Sequence, residues 1–237
     1  MAMYPTESMP DSGMMMEEFD KFAGDYGKVL DRSVELAGES SAYFIEYKAD
    51  YVARILGSPA PAKILDFGCG VGLLSHALAT QRPQDTIHGF DVSAESLNQL
   101  PTGLGNRGLF TTNLGELHRD YDLVVVSNVL HHIPPDRRQA TIADLATRLS
   151  HSGRLLVIEH NPLNPLTRWV VSHCPFDDDA ILLRPREVKG YCSSAGLHNF
   201  RNEYIVFFPK MLARLRRFER QLAWCPAGAQ YALTAAV

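Results

Sequence analysis

A chain of 237 residues with 46% hydrophobic and 21% charged residues has the material for a sizeable core, which excludes disordered, collagen-like and coiled-coil organisation. Its formal net charge of −4 draws it to no polyanion, so no nucleic-acid partner is expected. The four cysteines, at 69, 174, 192 and 225, form no CxxC pair. Together with the lack of a basic and apolar leader, and of any apolar run near the roughly 18 residues of a membrane span, they predict a reduced, cytoplasmic protein with no membrane span.

Residues 1–16 read as a flexible leader. From Glu17 to Leu56 apolar and aromatic residues recur at helical spacing, which predicts an N-terminal helical cap over residues 17–57, broken around Gly24, Gly27 and Gly38. Its rings either dock the helices onto a sheet or, for Phe22, Tyr26, Tyr43 and Phe44, line a substrate chamber. Beyond the break at Gly57-Ser58-Pro59-Ala60-Pro61, residues 58–237 alternate between strand and helix patterns. Strands are predicted at Lys63–Phe67, Thr86–Phe90, Gly108–Thr111, Tyr121–Val126 and Arg154–Glu159. Helices are predicted at Leu73–Gln81, from the N-cap Ser93, and at Asp136–Leu149. Near-continuous apolar strands separated by helices require both faces of the sheet to be covered. An α/β, doubly wound, Rossmann-like fold follows.

Residues 160–184 interrupt this alternation with prolines, Trp169, His173 and the acidic run Asp177–Asp179. Long irregular insertions after a parallel strand act as lids or binding loops. Then come a helix at Pro185–Ala195, a strand at Asn199–Phe208, a basic amphipathic helix at Lys210–Trp224, and a last strand at Gln230–Ala236 that is expected to enter the sheet antiparallel.

The chemistry concentrates where the first strand ends on Asp66 and runs into Gly68-Cys69-Gly70-Val71-Gly72. Residues without a Cβ let backbone approach a ligand, and the following helix N-terminus offers N–H groups, so a nucleotide-like ligand is expected across the strand end. A dinucleotide fingerprint needs G-x-G-x-x-G, but Leu73 occupies its third glycine position. With Asp66 two residues before the first glycine, this stretch resembles the first motif of the class I S-adenosylmethionine-dependent methyltransferases. Further motifs in order strengthen the resemblance: Asp91 ending the second strand, Asn113-Leu114 after the third, Tyr121 to Ile133 around the fourth, and Ser152-Gly153-Arg154 before the fifth.

The resemblance implies a seven-stranded, mostly parallel sheet with an antiparallel last strand, helices on both faces, and S-adenosyl-L-methionine as cofactor, with S-adenosyl-L-homocysteine as product. It implies cofactor contacts from Asp66, Gly68, Cys69, Gly70, Gly72, Asp91, Val92, Asn113, Leu114, Ser127 and His132. Asp91 would hold the ribose hydroxyls, although an acid there can also cap the helix at Ser93. Asn113 departs from the aspartate common in the family. Methyl transfer requires chiefly that the acceptor be held in line with the methyl group; a base is needed only where the acceptor carries a proton. His131, His132 and His160 are the candidates for such a base, with Glu159, Trp169 and His173 lining the acceptor side. Asp177–Asp179 read as a solvated acidic face, and no metal is expected. A small-molecule acceptor, methylated at oxygen, is the expectation; a protein or RNA methyltransferase, a cofactor-binding protein without turnover, and a nicotinamide dehydrogenase are the alternatives.

Overall fold

The computed structural model describes residues 39–57, 60–174, 177 and 180–237. Phe22, Tyr26, the leader, most of the predicted cap and Asp178–Asp179 lie outside them. The first described helix, α1 (Ser41–Leu56), starts on the Ser40 side chain, which accepts from the Tyr43 N–H, and stops at Gly57 in a left-handed conformation, φ 66°. Ala49, Tyr51 and Val52 form its buried stripe.

Strands β1 (Lys63–Phe67), β2 (Thr86–Phe90), β3 (Phe110–Thr111), β4 (Tyr121–Ser127), β5 (Leu149–His160), β6 (His198–Ile205) and β7 (Gln230–Ala236) form one sheet in the order β3-β2-β1-β4-β5-β7-β6. All pairings out to β5 are parallel, and β7 lies antiparallel between β5 and β6. Helices α2 (Leu73–Gln81), α3 (Ala94–Asn98), α4 (Pro135–Thr147), α5 (Pro165–Val171) and α6 (Pro185–Ser194) complete the alternation. The apolar run of β4 is buried throughout because it is the sheet's central strand: Val124 and Val126 face the core shared with α4 and α6, and Leu123 and Val125 that shared with α1 and α2. Burying each such side chain stabilises the fold by about 1.5–3 kcal/mol.

The boundaries differ from expectation where packing outweighs pattern. The third strand shrinks to two residues because it pairs on one side alone and only over Gly89–Phe90. Strand β5 extends back to Leu149, which pairs with Tyr121 across an irregularity in register. Strand β6 ends at Ile205; Val206 then turns into the left-handed region at φ 60°. The basic segment Lys210–Leu222 is not an α-helix but a succession of tight 3₁₀-type turns kinked at Leu212. Among the described residues its apolar side chains stay largely exposed, Met211 to 95%. Inward-facing Glu219 anchors it by accepting from the Phe207 and Phe208 N–H groups.

A polar link ties α1 to the far edge of the sheet. The Tyr51 hydroxyl donates to Glu203 Oε2 at 2.6 Å, and Arg54 and Arg201 complete the pairing. Burial raises the Glu203 pKa, but the Tyr51 hydrogen bond and the two arginines outweigh it and hold the carboxyl below its ordinary 4.5. The lowered folded-state pKa means that this contribution is complete above the unfolded value and is lost as pH falls through the folded one. Tyr51→Phe should cost about 1–3 kcal/mol in urea melts at pH 7, with a smaller difference from wild type at pH 3.

Candidate active site

The turn after β1 is shaped by its glycines, all three in the left-handed region at φ 75°, 52° and 76° for Gly68, Gly70 and Gly72. Their N–H groups serve the turn itself. Gly68 and Cys69 both donate to the Phe90 carbonyl, Gly70 donates to Asp91 Oδ2, and Gly72 donates to the Cys69 carbonyl. At these positions the turn therefore offers a ligand shape, as close approach of the glycine backbone requires. A Cβ on Gly68 would lie 2.4 Å from Val129 and one on Gly72 2.5 Å from Leu100, whereas one on Gly70 would meet none of the described residues within 4 Å. Gly70 faces open cavity.

Asp66 lies beneath the turn, 2% exposed, accepting from the Ser75 hydroxyl at 2.7 Å. Burial pushes its carboxyl up to about 6. Asp91 accepts from Gly70 N and, through Oδ1, from Ser93 N, so it joins the end of β2 to the glycine turn as well as meeting α3. Cys69 is a buried filler whose thiol is raised well above its ordinary value by burial. Asp66, Gly68, Cys69, Gly70, Asp91, Val92, Leu114, Ser127 and His132 all line one cavity of about 570 Å³. Gly72 and Asn113 are not on its wall. Asn113 is exposed and uses its side chain to accept from Gly115 N, capping the turn at Leu114–Glu116.

The cavity continues past the end of β4, where the histidines gather. His131 is buried with both ring nitrogens on carboxylates: Nδ1 lies 2.5 Å from Glu159 Oε2 and Nε2 3.2 Å from Asp177 Oδ1. Burial alone would lower its pKa, but Glu159 and Asp177 together raise it to about 9. Two carboxylates on its ring nitrogens favour the protonated form, which counts against the role of base expected of it. Burial raises Glu159 and Asp177 too, yet the histidines outweigh it and hold both below the ordinary range. His160, whose ring centre is 5.2 Å from that of His131, is lowered to about 4 by burial. His132 faces the cavity with Nε2 3.5 Å from Asp177 Oδ1.

Asp177 is thus not part of a solvated face; its side chain is 10% exposed and turned inward. Its segment is fastened from several sides. Ile181 N donates to the His131 carbonyl, and buried Arg138 donates to the carbonyls of Ile133 and Ile181. At the other end of the insertion, Asn161 donates to the Pro226 and Gly228 carbonyls, and Thr167 to that of Ala229.

The remaining acceptor-side candidates divide. Phe44 lines the cavity; Tyr43 does not and instead lies under Arg216, whose guanidinium is 3.9 Å from its ring centre. Glu159 is 1% exposed and accepts from the Val129 and Leu130 N–H groups, so it supports His131 from behind the wall. Trp169 and His173 pack on each other, ring centres 4.8 Å apart, on the outer side of α5. Trp169 is 45% exposed. A seven-residue helix has room for one inward face, and Thr167 and Val171 occupy it.

Sequence reasoning missed Lys48, Asn128, Gln230 and the Val206–Phe208 corner, all on the cavity wall. Lys48 was readable, standing between Phe44 and Val52 at four-residue spacing on the inward face of α1. Burial lowers it to about 8 against the pull of Glu159 and Asp66. Asn128, left-handed at φ 57°, suits a residue type that tolerates that region. No sequence signal marks Val206.

Known proteins bear on this geometry. The profile of the family described as a methyltransferase domain matches residues 65–155. A ubiquinone biosynthesis O-methyltransferase of Shewanella sp. (strain ANA-3) is 32% identical over 97 residues, 37% of this chain and 39% of that protein. A ribosomal RNA small subunit methyltransferase C of Alcanivorax borkumensis is 31% identical over 122 residues, 46% of this chain and 35% of that protein. The chain thus spans less than half the length of these curated relatives. Among solved structures, magnesium protoporphyrin IX methyltransferase from Synechocystis with bound S-adenosylhomocysteine superposes with a TM-score of 0.65 at 17% identity, covering 95% of this chain and 99% of that one. Residues 65–155 match the methyltransferase domain family, and the sheet around them has the fold of solved S-adenosylmethionine-dependent methyltransferases.

Proposed function

We propose that this protein methylates a small organic acceptor, at oxygen in preference to nitrogen or carbon, inside the cavity bounded by α1, the end of β4 and the 160–184 insertion. The observation that carries the reading is the cavity itself. Its volume of about 570 Å³ falls within the ordinary range of small-molecule sites. Its wall changes character from the glycine turn to an apolar end formed by Phe44, Val170, Val206, Phe207 and Phe208.

The residues fit the cofactor. Gly70 offers backbone that none of the described residues covers, the Asp91 carboxylate suits a cis-diol, and Val92 and Leu114 suit the faces of an adenine. When bound, S-adenosylmethionine supplies an activated methyl group on a sulfonium. The chain's own task is to bind the acceptor in the apolar end, orient its oxygen and exclude water. His132 and Ser127, both on the wall near the end of β4, are the groups that would hold an acceptor hydroxyl by hydrogen bonds. Similarity to a ubiquinone biosynthesis O-methyltransferase also favours oxygen, and the ribosomal RNA relative supports a macromolecular acceptor as the second reading.

The test is an extract incubated with the full chain and methyl-labelled cofactor, then separated by size. Label in the small-molecule fraction, in an alkali-stable ether or an ester, is expected; label confined to macromolecules overturns the acceptor class, and no product despite cofactor binding overturns turnover. S-adenosylhomocysteine at about 100 times its dissociation constant should stabilise the fold by roughly 2.7 kcal/mol, with no shift from NAD.

A further inference from the structure

We infer that His131, His160 and Asp177 form a binding site for one divalent transition-metal ion in the cavity wall, with Glu159 as the residue that positions His131. Each of the three offers one ligand atom, and these atoms all lie within 4.8 Å of one another. The best-defined pair, His131 Nε2 and Asp177 Oδ1, is 3.2 Å apart. Two ligands of one first-row ion, each at about 2.0–2.2 Å, stand roughly 3.0–3.5 Å apart, so this pair already has the spacing of a coordination edge.

The surroundings match what a metal site needs behind its ligands. Glu159 Oε2 meets His131 Nδ1 at 2.5 Å, which aims Nε2 away from β5 and toward Asp177. Its other oxygen accepts from Val129 N at 3.1 Å and Leu130 N at 2.7 Å, so the carboxylate is itself held rigidly. A carboxylate on the far nitrogen of a ligating histidine fixes the ring's tautomer and raises its basicity as a ligand. The three ligands come from the end of β4, the end of β5 and the insertion, and Ile181 N to the His131 carbonyl at 3.0 Å ties the insertion to the β4 end. All three line the cavity, so an ion has a way in and a face open to a further ligand. Two imidazoles and one carboxylate favour Zn²⁺, Fe²⁺, Co²⁺ or Ni²⁺ over Mg²⁺ and Ca²⁺, which prefer all-oxygen sets. On entry the ion takes the place of the proton shared by His131 Nε2 and Asp177, and that proton leaves to solvent. The open face would suit an oxygen of the acceptor.

The inference stands without the methyl-transfer reading, because it is tested with no cofactor present. Full-length protein without an affinity tag, stripped with chelator and dialysed, is titrated calorimetrically with ZnCl₂ and, in parallel, with CoCl₂ followed by visible absorption. One Zn²⁺ per chain with a dissociation constant of about 1 µM or tighter is expected, together with a cobalt d–d spectrum showing nitrogen ligation. His160→Gln and Asp177→Asn, shown to be folded by circular dichroism, should each weaken binding by about a hundredfold or more, and Glu159→Gln by about 10–100-fold. Should the buried Glu159 variant fail to fold, His160→Gln alone decides, since it leaves the Glu159–His131 pair in place. Binding weaker than about 1 mM, or an affinity and cobalt spectrum unchanged in His160→Gln, overturns the site.

Discussion

Gly70→Ala should leave the protein folded and cost it its cofactor. The substituted Cβ would meet no atom of the described residues within 4 Å, so the penalty to the fold is that of the left-handed conformation, about 1–2 kcal/mol. That space is the part of the turn a ligand would touch, and a methyl group placed in a fitted contact costs about 1–3 kcal/mol, which is roughly 5–150-fold in affinity for S-adenosylhomocysteine. Gly68→Ala should behave in the opposite way. Its Cβ would fall 2.4 Å from Val129, and the loss should appear in stability, by about 2–5 kcal/mol from overpacking and strain together. Val129→Ala in the same chain should restore the overpacking part and leave the strain. Calorimetric titration and urea melts on the four proteins measure both quantities. Equal affinity in Gly70→Ala and wild type would remove the turn from the cofactor site.

Glu159→Leu is expected to be the most destabilising single change at the site. Glu159 is 1% exposed and accepts three hydrogen bonds, from two backbone N–H groups and the His131 ring. Leucine fills a similar volume but leaves those donors buried and unmatched, with His131 facing Asp177 alone. Removing one partner of a buried ion pair costs about 3–5 kcal/mol, which for a chain of this size lowers Tm by roughly 6–20 °C. Glu159→Gln keeps an oxygen for the backbone donors and should fall between the two. A loss under about 1 kcal/mol in Glu159→Leu would mean that the donors find other partners, and the support assigned to Glu159 would be wrong.

Both expectations separate residues that touch the cavity from residues that hold its wall in place. The end of β4 depends on this division. His132 reaches the cavity because His131, one residue earlier, is clamped between β5 and the insertion, their ring centres 4.1 Å apart. The insertion, in turn, is held by Asn161 and Thr167 against the loop before β7 and by Arg138 of α4. A cavity wall built from irregular chain is therefore fastened at one end to the loop before β7 and at the other to α4.

The amino-acid sequence by itself determined the order of the elements and the antiparallel entry of β7, and its spaced motifs carried the resemblance that implied the seven-stranded sheet and the cofactor class. These are written in local terms: the apolar runs of β1 and β4, the glycine spacing after Asp66, the Ser93 cap and the turn before Gln230 each involve residues close along the chain. Boundaries moved where pairing partners set them, as at β3, which pairs with β2 over Gly89–Phe90 alone, and at Lys210–Leu222, whose apolar residues stay largely exposed among the described residues. Only the tertiary structure decided what the site residues do. Asp177 read as a solvated acid because its neighbours in sequence are acidic, yet it lies inside because histidines 46 residues away along the chain meet it there. His131 read as a base, yet carboxylates from β5 and the insertion meet both of its ring nitrogens. Trp169 and His173 read as acceptor contacts, yet Thr167 and Val171 take the inward face of α5. Charge pairing and burial are sums over distant segments, and no spacing along one chain records them.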